Sequence, residues 1–241
     1  MEYGLQMYSV RDLTEQDLEG ALRQVAALGY EFVEFAGFFG HSATDVRRML
    51  VENGLTVSGA HTGLGELTPE RIEETIAYHA ALGNDSIIVP WESYPTKEKL
   101  DAVIDALNAA QKRLAEAGIV LGYHNHAFEF EPTAYGLNIF EELVKRTQVE
   151  LEIDTYWVYA AGLDPIEVLE SLKGRVRVIH VKDGLTDRTG RALGEGTAPV
   201  AEVIAYAKKN GLRMVVESED LNPSGIEEVG RCAAYLKTLA V

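Results

Sequence analysis

The sequence predicts a single (β/α)8 barrel spanning residues 1–241, on three observations. Short apolar, β-branched runs alternate with amphipathic helical stretches from one end to the other. The alternation repeats eight times at a spacing of roughly 30 residues, the number and period that close a parallel sheet on itself. Glycines at 29, 54, 83, 118, 174 and 211 each end a helical run just before the next strand, as C-terminal caps do. A doubly wound open sheet is the alternative, but it lacks its glycine-rich phosphate loop after the first strand.

Each unit is legible in turn. YGLQMYS (3–9) reads as a strand and 14–28 as a helix. EFVEFA (31–36) leads to helix 43–53, and TVSGAH (56–61) to helix 69–82. SIIVPW (86–91) precedes the long helix 96–117, and IVLGYHNH (119–126) precedes helix 136–147. ELEIDTYW (150–157), VRVIHVKD (176–183) and RMVVESE (213–219) precede helices 164–173, 199–210 and 224–239. Ser42, Thr68, Asp164 and Pro165 or Pro199 mark helix starts.

Composition narrows the function. A 46% hydrophobic content supplies a large core. The net charge of −16 repels phosphate backbones and anionic lipid, which argues against nucleic acid and membrane as partners. No apolar run approaches the roughly 20 residues of a bilayer span. The N-terminus has no basic region followed by an apolar stretch, and one cysteine, Cys232, forms no internal disulfide. The expectation is a soluble cytoplasmic protein, with Cys232 a small buried apolar side chain.

The most informative residues are His124, Asp154, His180 and Glu217, each near the C-terminal end of one of the last four strands. In a parallel barrel those ends converge, bringing two imidazoles and two carboxylates to one point, a sensible site for a divalent metal. Alternation puts Gly122, His124 and His126 on one face, Glu152 with Asp154, His180 with Lys182, and Glu217 with Glu219. A structural ion-pair network, Lys182 with Glu217 or Glu219 and His180 with Asp154, is the competing reading. Strands one to four add Gln6, Tyr8, Glu34, His61 and Trp91, which with His126 suggest the wall of a polar-substrate pocket. Arg11 either fixes a substrate oxygen or pairs with an acid. His41 and His79 fall in helical context and are expected at the surface. Segment 188–199 is long enough to close over a site, and its Gly194-Glu195-Gly196 is not a phosphate fingerprint.

GLQMYSVRD (4–12), Glu34, His61, YHNHAFEF (123–130), EIDTYWV (152–158), HVKD (180–183), GEG (194–196) and VVESED (215–220) together resemble the sugar phosphate isomerase/epimerase family, the xylose isomerase-like barrels. The resemblance covers essentially the whole chain. It implies a (β/α)8 barrel binding one divalent metal, with His124, Asp154, His180 and Glu217 as ligands. The mixed N/O donors suit Mn, Co, Fe or Zn. Many members carry a glutamate on strand five that works with the strand-eight glutamate; here that position is His124. Many also have a histidine three residues after the strand-six aspartate; here it is Trp157.

The implied chemistry is proton transfer next to a carbonyl, through an enediolate stabilised by the metal. Glu217 is the expected base, with Lys182 stabilising an oxyanion or tuning Glu217, and His61, Glu34 or His126 returning the proton. The expected activity is a metal-dependent sugar isomerase or epimerase acting on a keto sugar or polyol-derived ketone. A lyase of the inosose dehydratase kind, or one eliminating from a 3-keto-glycoside, would use the same intermediate. The charge argues against a nuclease, and the ligand set against a sugar-binding barrel without chemistry. Family members are often dimers or tetramers, so a homo-oligomer is possible.

Overall fold

The computed structural model describes residues 2–239. Eight parallel strands close a barrel: β1 (Gly4–Gln6), β2 (Phe32–Phe35), β3 (Thr56–His61), β4 (Ser86–Val89), β5 (Val120–His124), β6 (Glu150–Asp154), β7 (Val178–Val181) and β8 (Arg213–Val216). They lie in sequence order around the barrel, and β1 pairs with β8 to complete it. The outer helices are α1 (Leu18–Leu28), α2 (Ala43–Glu52), α3 (Ile72–Leu82), α4 (Lys97–Glu116), α5 (Ile139–Arg146), α6 (Pro165–Ser171), α7 (Val200–Asn210) and α8 (Gly225–Thr238). Among the described residues no helix is long and apolar enough to cross a membrane.

Alternation along each strand separates two environments. Leu5, Val33, Ile87, Leu121, Ile153, Ile179 and Val216 are buried in the apolar layer shared with the helices. Full burial of such a side chain contributes about 1.5–3 kcal/mol. The other strand face fills the barrel interior. Low in the barrel Ile88 occupies space left by two glycines: a Cβ would lie 2.7 Å from its Cδ1 on Gly59 and 3.3 Å from its Cγ1 on Gly122. Higher up, the interior residues turn polar and charged.

Most strands stop sooner at their C-terminal ends than expected, and at β1 and β6 a polar residue there caps the next turn. Gln6 accepts a hydrogen bond from the Tyr8 amide and starts a 3-10 turn over Met7–Val10, so Tyr8 does not lie in a strand. Asp154 accepts from the Tyr156 and Trp157 amides and starts a short helix, Thr155–Ala160. Ser42 and Asp164 cap helices as expected. Thr68 does not: α3 begins three residues later, after Arg71. His79 is corrected from surface to core. It lies on the inner side of α3, 2% exposed, where Asn84 Nδ2 donates to its Nδ1 at 2.8 Å. Cys232 is fully buried.

Candidate metal centre and active site

The polar upper layer of the barrel gathers residues from every strand except β4. Four strand ends supply one four-donor set, His124, Asp154, His180 and Glu217, whose ligand atoms all lie within 4.8 Å of one another. A second set, His61, His124, Glu152 and His180, meets the same limit. The cluster can therefore hold a metal ion.

Neighbours fix each donor. Asp154 spends Oδ1 on the Tyr156 and Trp157 amides at 2.9 and 3.0 Å, leaving Oδ2 free to face the site. Asn125 ties β5 to β6 by accepting from the Asp154 amide and donating to its carbonyl. His180 Nε2 lies 2.8 Å from Glu34 Oε1, and its Nδ1 lies 3.4 Å from Glu217 Oε2. Gln6 Nε2 donates to Glu34 Oε1 at 2.6 Å, so a chain of partners runs from β1 through β2 to β7. Lys182 Nζ sits 3.2 Å from Glu217 Oε2, 2.7 Å from Glu219 Oε2 and 3.8 Å from Asp154 Oδ2. It also lies 4.7 Å from the centre of the Trp157 ring.

Charge balance explains the titration behaviour. Glu34, Glu152, Asp154 and Glu217 are all buried, and Lys182 is the permanent cation among them. Burial alone would raise the Glu217 carboxyl, but the Lys182 cation and then His180 hold it well below the usual carboxylate range. Lys182 is pushed up, because its carboxylate neighbours outweigh its desolvation. Desolvation dominates at Asp154 and Glu152 and lifts each to about 7. His180 is raised by the carboxylates around it despite its burial. His61 behaves likewise and reaches about 10, with Glu34 the main attraction. His124 goes the other way: desolvation first, then the neighbouring imidazoles, hold it well below its ordinary value.

The residues fit a divalent cation on two counts. His124 Nδ1, Asp154 Oδ2 and Glu152 Oε1 are buried without a hydrogen-bond partner among the described residues, which is costly unless a ligand meets them. His124 is also held neutral, the form in which imidazole is a ligand.

A cavity of about 400 Å³ opens above this cluster, lined by Tyr8, His61, Trp91, His124, His126, Glu217 and Glu219. Tyr8 and Trp91 stand at its rim, 44% and 56% exposed. His126 packs on Phe128 and Trp157, and burial pushes it down to about 4. Its Nδ1 is unpartnered. A larger groove of about 670 Å³, between residues 64–73 and α4, is mostly apolar and holds no such cluster.

The expected wall residues divide. Tyr8, Trp91 and His126 do line the cavity, whereas Gln6 and Glu34 do not. Both are fully buried beneath it, for their side chains are used on each other and on His180. Arg11 neither meets a free acid nor enters the cavity; it lies over the Tyr8 ring and donates to the Tyr8 and Glu219 carbonyls. Segment 188–199 does not close over the cavity. It folds back on Asp183, whose carboxylate accepts from the amides of Gly184, Gly194, Gly196 and Ala198. The sequence reading missed Glu152 as a donor, although its place on the Asp154 face of β6 was the available signal.

A closed parallel barrel with a His and carboxylate cluster at its strand ends, under a polar pocket, defines a barrel able to hold a cation beside a small molecule. The chain belongs to the xylose isomerase-like TIM barrel family, whose model matches residues 22–239. It is similar to an inosose dehydratase of Geobacillus kaustophilus, 25% identical over 186 residues that make up 67% of this chain and 60% of that one. The match thus spans under two thirds of the relative's length. Among solved structures it is similar to a sugar phosphate isomerase/epimerase from Parabacteroides distasonis, with TM-score 0.85, 28% identity, and coverage of 98% of this chain and 97% of that one. An L-ribulose 3-epimerase shares the fold at TM-score 0.72 and 17% identity, with 99% and 94% covered.

Proposed function

We propose that the chain is a metal-dependent isomerase or epimerase acting on a keto sugar or polyol-derived ketone through an enediolate. One observation carries the reading. Among the described residues Glu217 is the carboxylate that both lines the cavity and belongs to a four-donor set, and it is held ionised. A carboxylate in that position is a ready base for a proton next to a carbonyl. His124, Asp154, His180 and Glu217 would hold the metal. Mn, Co, Fe or Zn bound there supplies Lewis acidity toward a keto oxygen and its neighbouring hydroxyl.

The chain's own residues account for the rest. Glu217 accepts the proton, and Lys182 at 3.2 Å keeps its charge stable in a dry site. His61 retains its own proton at neutral pH and reaches the cavity, so it can return a proton to the enediolate. His126 lines the cavity with a neutral ring, a polar contact for a sugar hydroxyl. Trp91 and Tyr8 offer flat apolar faces to the ring carbons.

A second reading, elimination by a dehydratase or glycoside lyase, has its own support. The cavity wall contributed by β3 and β5 carries imidazoles, His61 and His124, and no second carboxylate to pair with Glu217. A cationic imidazole protonates a departing oxygen as readily as it reprotonates carbon. Incubation in deuterium oxide with ketohexoses, inosose and 3-keto-glycosides separates the readings. Isomerisation leaves mass unchanged apart from deuterium, whereas elimination loses water or a sugar. An inactive Glu217→Gln that still exchanges the α-proton at full rate would remove Glu217 as the base.

A further inference from the structure

We propose that His61, His124, Glu152 and His180 form a second, inner position for a zinc-type cation, an alternative to the outer position. The inference rests on the outer set being the catalytic one and extends beyond it.

Three imidazole nitrogens converge on one oxygen. Glu152 Oε2 lies 2.8 Å from His61 Nε2, 3.2 Å from His180 Nε2 and 3.3 Å from His124 Nδ1. In a tetrahedral zinc site with bonds of about 2.0–2.1 Å, neighbouring donor atoms are separated by about 3.3–3.4 Å. Two of the three oxygen–nitrogen separations match such an edge and the third is shorter, while all four ligand atoms lie within 4.8 Å of one another. Two donor residues also carry unsatisfied buried atoms: His124 Nδ1 and Glu152 Oε1 have no hydrogen-bond partner among the described residues. Both side chains are 2% exposed. Glu34 Oε1, 2.8 Å from His180 Nε2 and 3.2 Å from His61 Nε2, is within reach as a further oxygen.

His180 decides how the two positions relate. Its Nε2 faces the inner set and its Nδ1 faces Glu217 of the outer set. His124 belongs to both. Because the sets share two residues, one tetrahedral ion fills one position or the other. The donor chemistry differs. The inner set has three nitrogens and one carboxylate, favouring Zn or Co, while the outer has two carboxylates and a competing ammonium, Lys182, 3.2 Å from Glu217.

Metal-free protein titrated with Co(II) tests this, read by visible absorption and by metal content after gel filtration. Wild type is expected to bind one Co(II) per chain. Asp154→Asn, which disables the outer set, is expected to retain one Co(II) within about 10-fold of the wild-type affinity, with the strong absorption of a four-coordinate nitrogen-rich site. Adding Glu152→Gln to that variant should weaken binding by about 100-fold. Circular dichroism and thermal melting check that each variant is folded. A folded Asp154→Asn that holds no Co(II), beside a wild type that holds one, overturns the inner position and leaves the proposed function standing. A wild type that binds no Co(II), Zn(II) or Mn(II) overturns both.

Discussion

The two halves of the barrel rim carry different parts of the chemistry. Strands β5 to β8 end in the outer donor set and in Lys182, groups whose charges face one another across a few ångströms. Strands β1 to β4 end in Gln6, Glu34, His61 and the Trp91 turn, which support or enclose those groups. Gln6 holds Glu34, Glu34 holds His180, and Tyr8 and Trp91 shape the opening. The difference shows how a symmetric scaffold makes an asymmetric site. One half bears the reactive charge, and the other fixes its geometry and admits the substrate.

The sharpest way to break that comparison is to neutralise one carboxylate in each half. Glu217→Gln keeps the shape and removes the base, so turnover and α-proton exchange should fall by about 10²–10⁴-fold. Glu34→Gln removes the acceptor that orients His180 and should cost about 10–100-fold, mainly through weaker metal affinity that excess metal restores. Deuterium exchange measured for both at saturating metal checks the ranking. If Glu34→Gln proves as inactive as Glu217→Gln under those conditions, the division between halves is wrong.

Next in size is Lys182→Met. It leaves Asp154 and Glu217 buried without their permanent cation. Breaking such a buried pair costs about 3–5 kcal/mol, to be read from urea unfolding of the metal-free protein. A divalent ion at the outer set should restore part of the loss, since it supplies the missing charge. The equivalent removal in the front half, formed by β1 to β4, is His61→Gln, which should destabilise less, because His61 can shed its proton and Lys182 cannot readily do so.

A third test lies behind the front half. His79 packs against Phe38 from α3, and burial pushes it down to about 4. Its folded value is below the ordinary value of 6.5, so the unfolded chain binds the proton more readily. The stability that His79 contributes is therefore fully present above pH 6.5 and is lost as pH falls toward 4, about 3 kcal/mol in all from this group. His79→Gln should flatten that slope in denaturant unfolding across pH 4–7. An unchanged slope would mean that another group controls it.

The same contrast governs what the sequence made legible. In β5 to β8 a His, Asp or Glu interrupts an apolar β-branched run, and parallel register alone brings four of them together. The barrel and the outer donor set could be read on that basis. Gln6 and Glu34 also stood on the right faces, but alternation gives a direction and no depth. It could not show that both lie under the pocket floor, satisfied by each other and by His180. Glu152 was overlooked because Asp154, two residues on, already filled its strand's expected place. His79 was misplaced because α3 has a weak polar face, and its burial depends on Asn84 and Phe38 from other segments. The tie between Asp183 and the amides of residues 184–198 is a tertiary hydrogen-bond pattern without a sequence period.

Trp91 should produce the smallest effect, and its form matters more than its size. The ring follows β4, is 56% exposed and borders the cavity. A side chain that exposed costs little stability to remove, since it gives up little buried area on folding. If it serves as a platform for the sugar ring, Trp91→Ala loses apolar contact that substrate and transition state make equally. KM should then rise by about 10-fold while kcat stays within about 2-fold, the pattern of lost uniform binding. Tyr8→Ala should act in the same direction and more weakly, because Arg11 already covers one face of the Tyr8 ring. A fall in kcat at unchanged KM would place Trp91 with the reacting groups of the other half, and the front rim would then be more than an enclosure.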